Sequence, residues 1–265
     1  MDSLILWIVA FTALGGVLSV FAAAGFLLLP AGMRTRLLSP LVSFAIGTML
    51  GATFLGLLPN AIEAPGVTEP HAITTTVLLG LLVFFVLEKM VIWRHCHVDE
   101  CEAHGEAHRT HVENARRLAS GQLILIGDSI HNMVDGVLIA AAFLTDVHLG
   151  IVTSIAVIAH EIPQEVGDFA ILLNSGYSRG KALMYNVLVS LTTVIGGLVA
   201  YYSLSLAQQV IPYVLAIAAS SFIYIAVADL IPGLHKRTEL GATAQQIVLI
   251  LLGVGAIALT DAVLH

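Results

Sequence analysis

Two short runs, 131-HNMVDG-136 and 160-HEIPQEVGD-168, place imidazole, carboxamide and carboxylate side chains inside long apolar segments. On a helix, positions three and four apart share a face. His131 and Asp135 are four apart, Asn132 and Asp135 three apart, and Asp128 lies one turn before His131. In the second run His160 and Gln164 are four apart, Glu161 precedes Gln164 by three and Glu165 by four, and Asp168 follows one turn after Gln164. Imidazole with carboxylate suits Zn²⁺, Fe²⁺, Mn²⁺ and similar ions, and the amide oxygens of Asn132 and Gln164 add weaker ligands. Such groups at membrane depth cost roughly several kcal/mol and are tolerated chiefly where they face a bundle interior. Together they predict one shared cation site, with His131, Asn132, Asp135, His160, Glu161 and Gln164 as its ligands. Asp128, Glu165 and Asp168 are candidates for further ligands or for outer groups that orient them. The bland reading, hydrogen bonds between helices, suits a lone Asn or His better than this set.

Two residues beside these runs bear on how the helices come together. Pro163 removes the backbone bond to the Ala159 carbonyl, predicting a kink and a carbonyl free to line a polar cavity. Gly136 and Gly167 are predicted to let neighbouring helices approach closely.

The elements that must hold these groups are membrane spans. The chain has 265 residues, 58% of them hydrophobic and 11% charged, with mean hydropathy +0.94. A soluble globular protein carries about 25% charged residues. Eight apolar segments, near 3–29, 41–63, 72–93, 119–144, 148–174, 179–205, 209–231 and 244–264, reach the ~20 residues that cross a bilayer. They lack the alternation of barrel strands, so they read as helices, and one membrane domain takes up residues 1–265. Met1-Asp2-Ser3-Leu4 has no basic region and reads as the start of the first span.

All 11 Lys and Arg fall on one side of this layout. Arg34 and Arg36 follow span 1, and Arg94, Arg109, Arg116 and Arg117 follow span 3. Arg179 and Lys181 follow span 5, Lys236 and Arg237 follow span 7, and Lys89 ends span 3. The positive-inside rule then predicts both termini outside and a count of eight. The polar connector at about 94–118 is cytoplasmic in this layout. Its 94–111 stretch holds His95, Cys96, His97, Cys101, His104, His108 and His111 with several carboxylates. A reducing compartment argues against a disulfide, and the spacings match no closed zinc-finger pattern. Loose binding of a divalent metal and a solvated connector are both open for it.

The runs His131-Asn132-x-x-Asp135-Gly136 and His160-Glu161-x-Pro163-x-Glu165-x-Gly167-Asp168 resemble those of the ZIP (Zrt/Irt-like) divalent metal transporters. The second run, followed by Phe169-Ala170-Ile171-Leu172-Leu173, is similar to the LIV-1 branch, which usually reads H-E-x-P-H-E-x-G-D. Here Gln164 stands where that branch has its second His. Some family members complete a binuclear site with an acid in span 6, where this chain has Asn186 and Ser190. The resemblance implies two three-helix halves around a central helix pair, with Leu57-Leu58-Pro59-Asn60 and Asp229-Leu230-Ile231-Pro232 as matching ends. It also implies a motion in which spans 1, 4, 5 and 6 carry metal past the rest. The expectation is a multi-pass cell-membrane protein that moves Zn²⁺, Fe²⁺ or Mn²⁺ into the cytoplasm as substrate. No cofactor, no enzymatic activity and no nucleic acid are expected; the partners are the metal, the bilayer and a possible homodimer mate.

Two other classes compete. His160-Glu161 begins like the H-E-x-x-H of an intramembrane zinc protease, but position 164 is Gln and Pro163 breaks the turn. A membrane metal sensor would use the His-rich connector as its receptor.

Overall fold

The computed structural model describes residues 2–96, 106–236 and 238–264. Eight helices cover almost all of them: α1 (residues 2–27), α2 (Ala31–Ile62), α3 (Pro70–Cys96), α4 (Glu106–Thr145), α5 (Val147–Asn174), α6 (Arg179–Leu206), α7 (Gln208–Leu234) and α8 (Leu240–Leu264). No strand occurs among the described residues. Seven of these helices are long and apolar enough to cross a membrane; α5 is left out. It has the length, 28 residues, but His160, Glu161, Gln164, Glu165 and Asp168 lower its hydropathy.

Three boundaries differ from the sequence expectation by four residues or more. α2 begins at Ala31 rather than 41, because Pro40 is accommodated inside the helix and Pro30, with ψ 144°, sits just before it. α4 begins at Glu106 rather than 119 and runs for 40 residues. The stretch 113-ENARRLA-119 is too polar for a span yet rich in good helix formers, so propensity extends the helix where hydropathy stops. The connector expected over 94–118 is therefore helical from 106 onward. α8 begins at Leu240 rather than 244.

The helices pack as two groups. α4 lies along α6 and α5, and α1 packs on α4, α5 and α6. α2 pairs with α8, and α3 with α7. The second group shows the matching halves directly. α2 carries a π-helical turn at Ala52–Leu57, where the Leu58 N–H reaches the Thr53 carbonyl, just before Pro59. α7 repeats this at Ile225–Leu230, where the Ile231 N–H reaches the Ala226 carbonyl, just before Pro232. In each case the wider turn absorbs the donor that proline lacks. The pairing of α2 with α8 is matched by that of α7 with α3, as expected for two related three-helix halves around α4 and α5.

Close approach is set by glycine. A Cβ on Gly136 would overlap the Thr193 carbonyl of α6, and one on Gly196 the Met133 carbonyl of α4. Between α2 and α8, Gly47 faces the Ile250 carbonyl and Gly253 faces the Phe44 carbonyl in the same way. Gly167 does not share this role: it is exposed, and a Cβ there meets nothing within 4 Å. It points away from α4 and α6, so the sequence expectation of close approach holds for Gly136 only. The outer face of α6 is an apolar stripe of Met184, Leu188, Leu191, Ile195, Val199 and Tyr202, a period that presents one side of the helix to lipid.

Candidate metal centre

α4 and α5 meet where the two runs lie opposite each other, and four side chains converge: His131 and Asp135 from α4, His160 and Glu161 from α5. His160 Nε2 lies 3.3 Å from His131 Nε2 and 3.1 Å from Asp135 Oδ2. His131 Nε2 lies 3.4 Å from Glu161 Oε1 and 3.7 Å from Asp135 Oδ2, and His160 Nε2 lies 3.9 Å from Glu161 Oε1. Four ligands held tetrahedrally at about 2.0–2.2 Å from one ion stand roughly 3.3–3.6 Å apart. These five separations, 3.1 to 3.9 Å, bracket that spacing, and all four donors lie within 4.8 Å of one another.

The orientation of the donors favours a cation. His160 Nδ1 lies 3.0 Å from the Ala156 carbonyl. A carbonyl can only accept, so Nδ1 carries the proton and Nε2 turns its lone pair inward, the arrangement that outer groups impose on metal-binding histidines. Apart from the two imidazoles, no hydrogen-bond donor reaches either oxygen of Asp135 or Glu161, though both residues are fully buried. Buried carboxylates without donors are costly unless a positive charge offsets them. The His131 side chain, 21% exposed, is the one opening in an otherwise closed cluster. Phe222 of α7 packs against the cluster, its ring edge-on to His160 at 5.8 Å between centroids.

The remaining candidates sit around this core. Asn132 is fully buried, but its oxygen accepts from Thr193 Oγ1 at 2.7 Å and its nitrogen donates to Asp128 Oδ1 at 2.9 Å. Gln164 donates from Nε2 to the same Asp128 oxygen at 3.2 Å. Asp128 thereby ties α4 to α5 one turn away from the cluster. Glu165 accepts from Ser190 Oγ at 3.0 Å, and Asp168 is buried on the same helix. The structure thus brings four of the six expected ligands together and engages Asn132 and Gln164 with neighbours. Thr193 is the residue that sequence reasoning missed. Asn186, Ser190 and Thr193 form a buried polar stripe on α6 at helical spacing, and that signal was open to reading. Of the connector candidates, His97, Cys101 and His104 lie outside the described residues, as do the side chains of His95, Cys96, His108 and His111.

Eight membrane-length helices around a buried nest of imidazole and carboxylate donors define a polytopic membrane carrier of cations. Comparison with known proteins agrees. The family model described as ZIP Zinc transporter matches residues 94–261. The chain is 31% identical to zinc transporter ZIP13 of Pongo abelii over 252 residues, covering 86% of this chain and 70% of that one. It is 33% identical to zinc transporter YKE4 of Saccharomyces cerevisiae over 247 residues, covering 84% and 71%. Over a shorter stretch of 130 residues, 45% of this chain and 15% of the relative, it is 39% identical to zinc transporter ZIP10 of Danio rerio. The chain belongs to the ZIP zinc transporter family, in its LIV-1-like branch. Its activity is transport of divalent metal cations across a membrane; it is not an enzyme.

Proposed function

We propose that this protein carries Zn²⁺ through the cell membrane into the cytoplasm, held by His131, Asp135, His160 and Glu161. The observation that carries this reading is the near-tetrahedral spacing of the four donors together with the inward lone pair of His160. Two imidazoles and two carboxylates suit Zn²⁺ while leaving Fe²⁺ and Mn²⁺ as weaker competitors. All four donors stand on α4 and α5, within the group formed with α1 and α6. That group can shift against α2, α3, α7 and α8 without breaking the coordination, and Phe222 marks the wall it slides past. Asn132, Gln164 and Asp128 brace α4 against α5 one turn away from the ion. The one-sided Lys and Arg support an orientation with both termini outside.

The test is flux of labelled metal into proteoliposomes, with Zn²⁺, Mn²⁺ and Fe²⁺ in competition. Uptake with Zn²⁺ the strongest competitor is the expected result; no flux, or preference for Mn²⁺, contradicts the proposal. The same assay probes Gln164. Gln164→His adds a nitrogen one turn from His160 on the same face. It should tighten apparent Zn²⁺ affinity by on the order of tenfold, the range that a changed outer partner produces at metal sites, while turnover falls as release slows. Unchanged affinities and preference order in Q164H would show that this position does not bear on the ion.

For the connector we propose a regulatory role. Replacing His95, His97, His104, His108 and His111 by Ser should leave uptake at saturating metal intact and alter the response to low or excess metal. Complete loss of flux in a correctly inserted variant would place those residues in the pathway itself.

A further inference from the structure

At the end of the molecule where α1 finishes and α6 begins, a groove of about 530 Å³ opens between α1, α2, α5 and α6. Its floor is apolar, built from Ala24, Phe169, Leu173 and Leu183. Arg34 of α2 and Arg179 of α6 also line it. The Nε of Arg34 is buried and has no hydrogen-bond partner. The groove is open toward the membrane side, where Phe21 is 52% and Leu28 80% exposed. Gly25 and Gly180 line it too, and a Cβ at either meets nothing within 4 Å, so the space is clear beside them.

From these features we infer that the groove binds one anionic phospholipid, with an acyl chain on the apolar floor and the phosphate between Arg34 and Arg179. An apolar slot with two guanidiniums at its mouth is complementary to such an amphiphile, and guanidinium pairs suit phosphate oxygens. The basic residues around it, including Arg36 and Lys181, belong to the side that the charge pattern places in the cytoplasm, where the leaflet is anionic. Arg34 stands on one helix group and Arg179 on the other, so a lipid in this groove spans the boundary between them.

Native mass spectrometry of the full chain with equimolar phosphatidylcholine and phosphatidylglycerol tests this. The unaltered protein should retain phosphatidylglycerol selectively. Arg34→Gln with Arg179→Gln should lower that preference by on the order of tenfold, each guanidinium adding its own attraction to the headgroup. Arg179→Gln alone, at an exposed position, should lower it in part and serves if the double variant does not fold. Gly25→Phe fills the slot while sparing both arginines and should reduce retention of the lipid. Unchanged preference in the arginine variants overturns the proposal. So does unaltered retention in G25F, which would reduce the effect to surface charge. Glycerol phosphate, the headgroup without its chains, should not displace the lipid; displacement would assign the site to a free phosphate instead.

Discussion

Uptake of Zn²⁺ into vesicles should fall to background when His131, Asp135, His160 or Glu161 is replaced by Ala, one at a time, while the protein still reaches the membrane. Each supplies one of four donor atoms within 4.8 Å of one another. Changing an outer partner of a metal ligand costs about 10–100-fold in affinity or activity, and loss of the ligand itself should exceed that. The damage differs by residue. Without Asp135 or Glu161 a single carboxylate remains beside the two imidazoles. Without His160 both buried carboxylates are left with the single, partly exposed imidazole of His131. Transport of labelled metal, measured beside membrane abundance, checks the four variants. Near-normal uptake in any two of them would remove these residues from the ion's path.

Gly136→Ala should cost most of the folded protein, although it adds one methyl group. That methyl would overlap the Thr193 carbonyl and crowd the Gly197 nitrogen, both backbone atoms of α6 that cannot swing aside. Crowding in a packed interior costs about 1–3 kcal/mol, and losses of about 1–2 kcal/mol change abundance several-fold. The shift would also move Asn132, whose oxygen is held by Thr193. Gly167→Ala is the control. It sits in the other run, faces open space, and should keep or raise the yield, since Ala is the better helix former. Size-exclusion profiles of the two variants from equal cultures read the difference. Equal profiles would mean that the α4–α6 contact can loosen freely.

The four converging side chains were legible because helical spacing dictates which positions share a face, and two helices with such faces have few ways to pack. What spacing leaves open is the direction of each amide. Asn132 and Gln164 lie at ligand positions, yet their groups turn to Thr193 and Asp128, partners on other turns and helices. Gly136 and Gly167 look equivalent in sequence; only the position of α6 separates a contact glycine from a free one. The long start of α4 was hidden for a different reason. Hydropathy marks where lipid ends, whereas a helix ends where its hydrogen-bond ladder stops, and 113-ENARRLA-119 keeps that ladder going in polar surroundings. The early start of α2 was masked by Pro40, whose cost the surrounding helix absorbs.

The glycine contact between α2 and α8 has a consequence for biosynthesis. α2 leaves the ribosome well before its backbone partner α8. Until Gly253 meets Gly47, α2 has no mate that can come as close, and its seam must be shielded by lipid or by an insertion factor. The group holding the proposed ion-binding side chains is complete once α6 has emerged. The other closes only with α8. Chains interrupted after α6 should therefore contain the helices of the proposed metal site beside an incomplete second group, and these are the intermediates that membrane quality control would encounter.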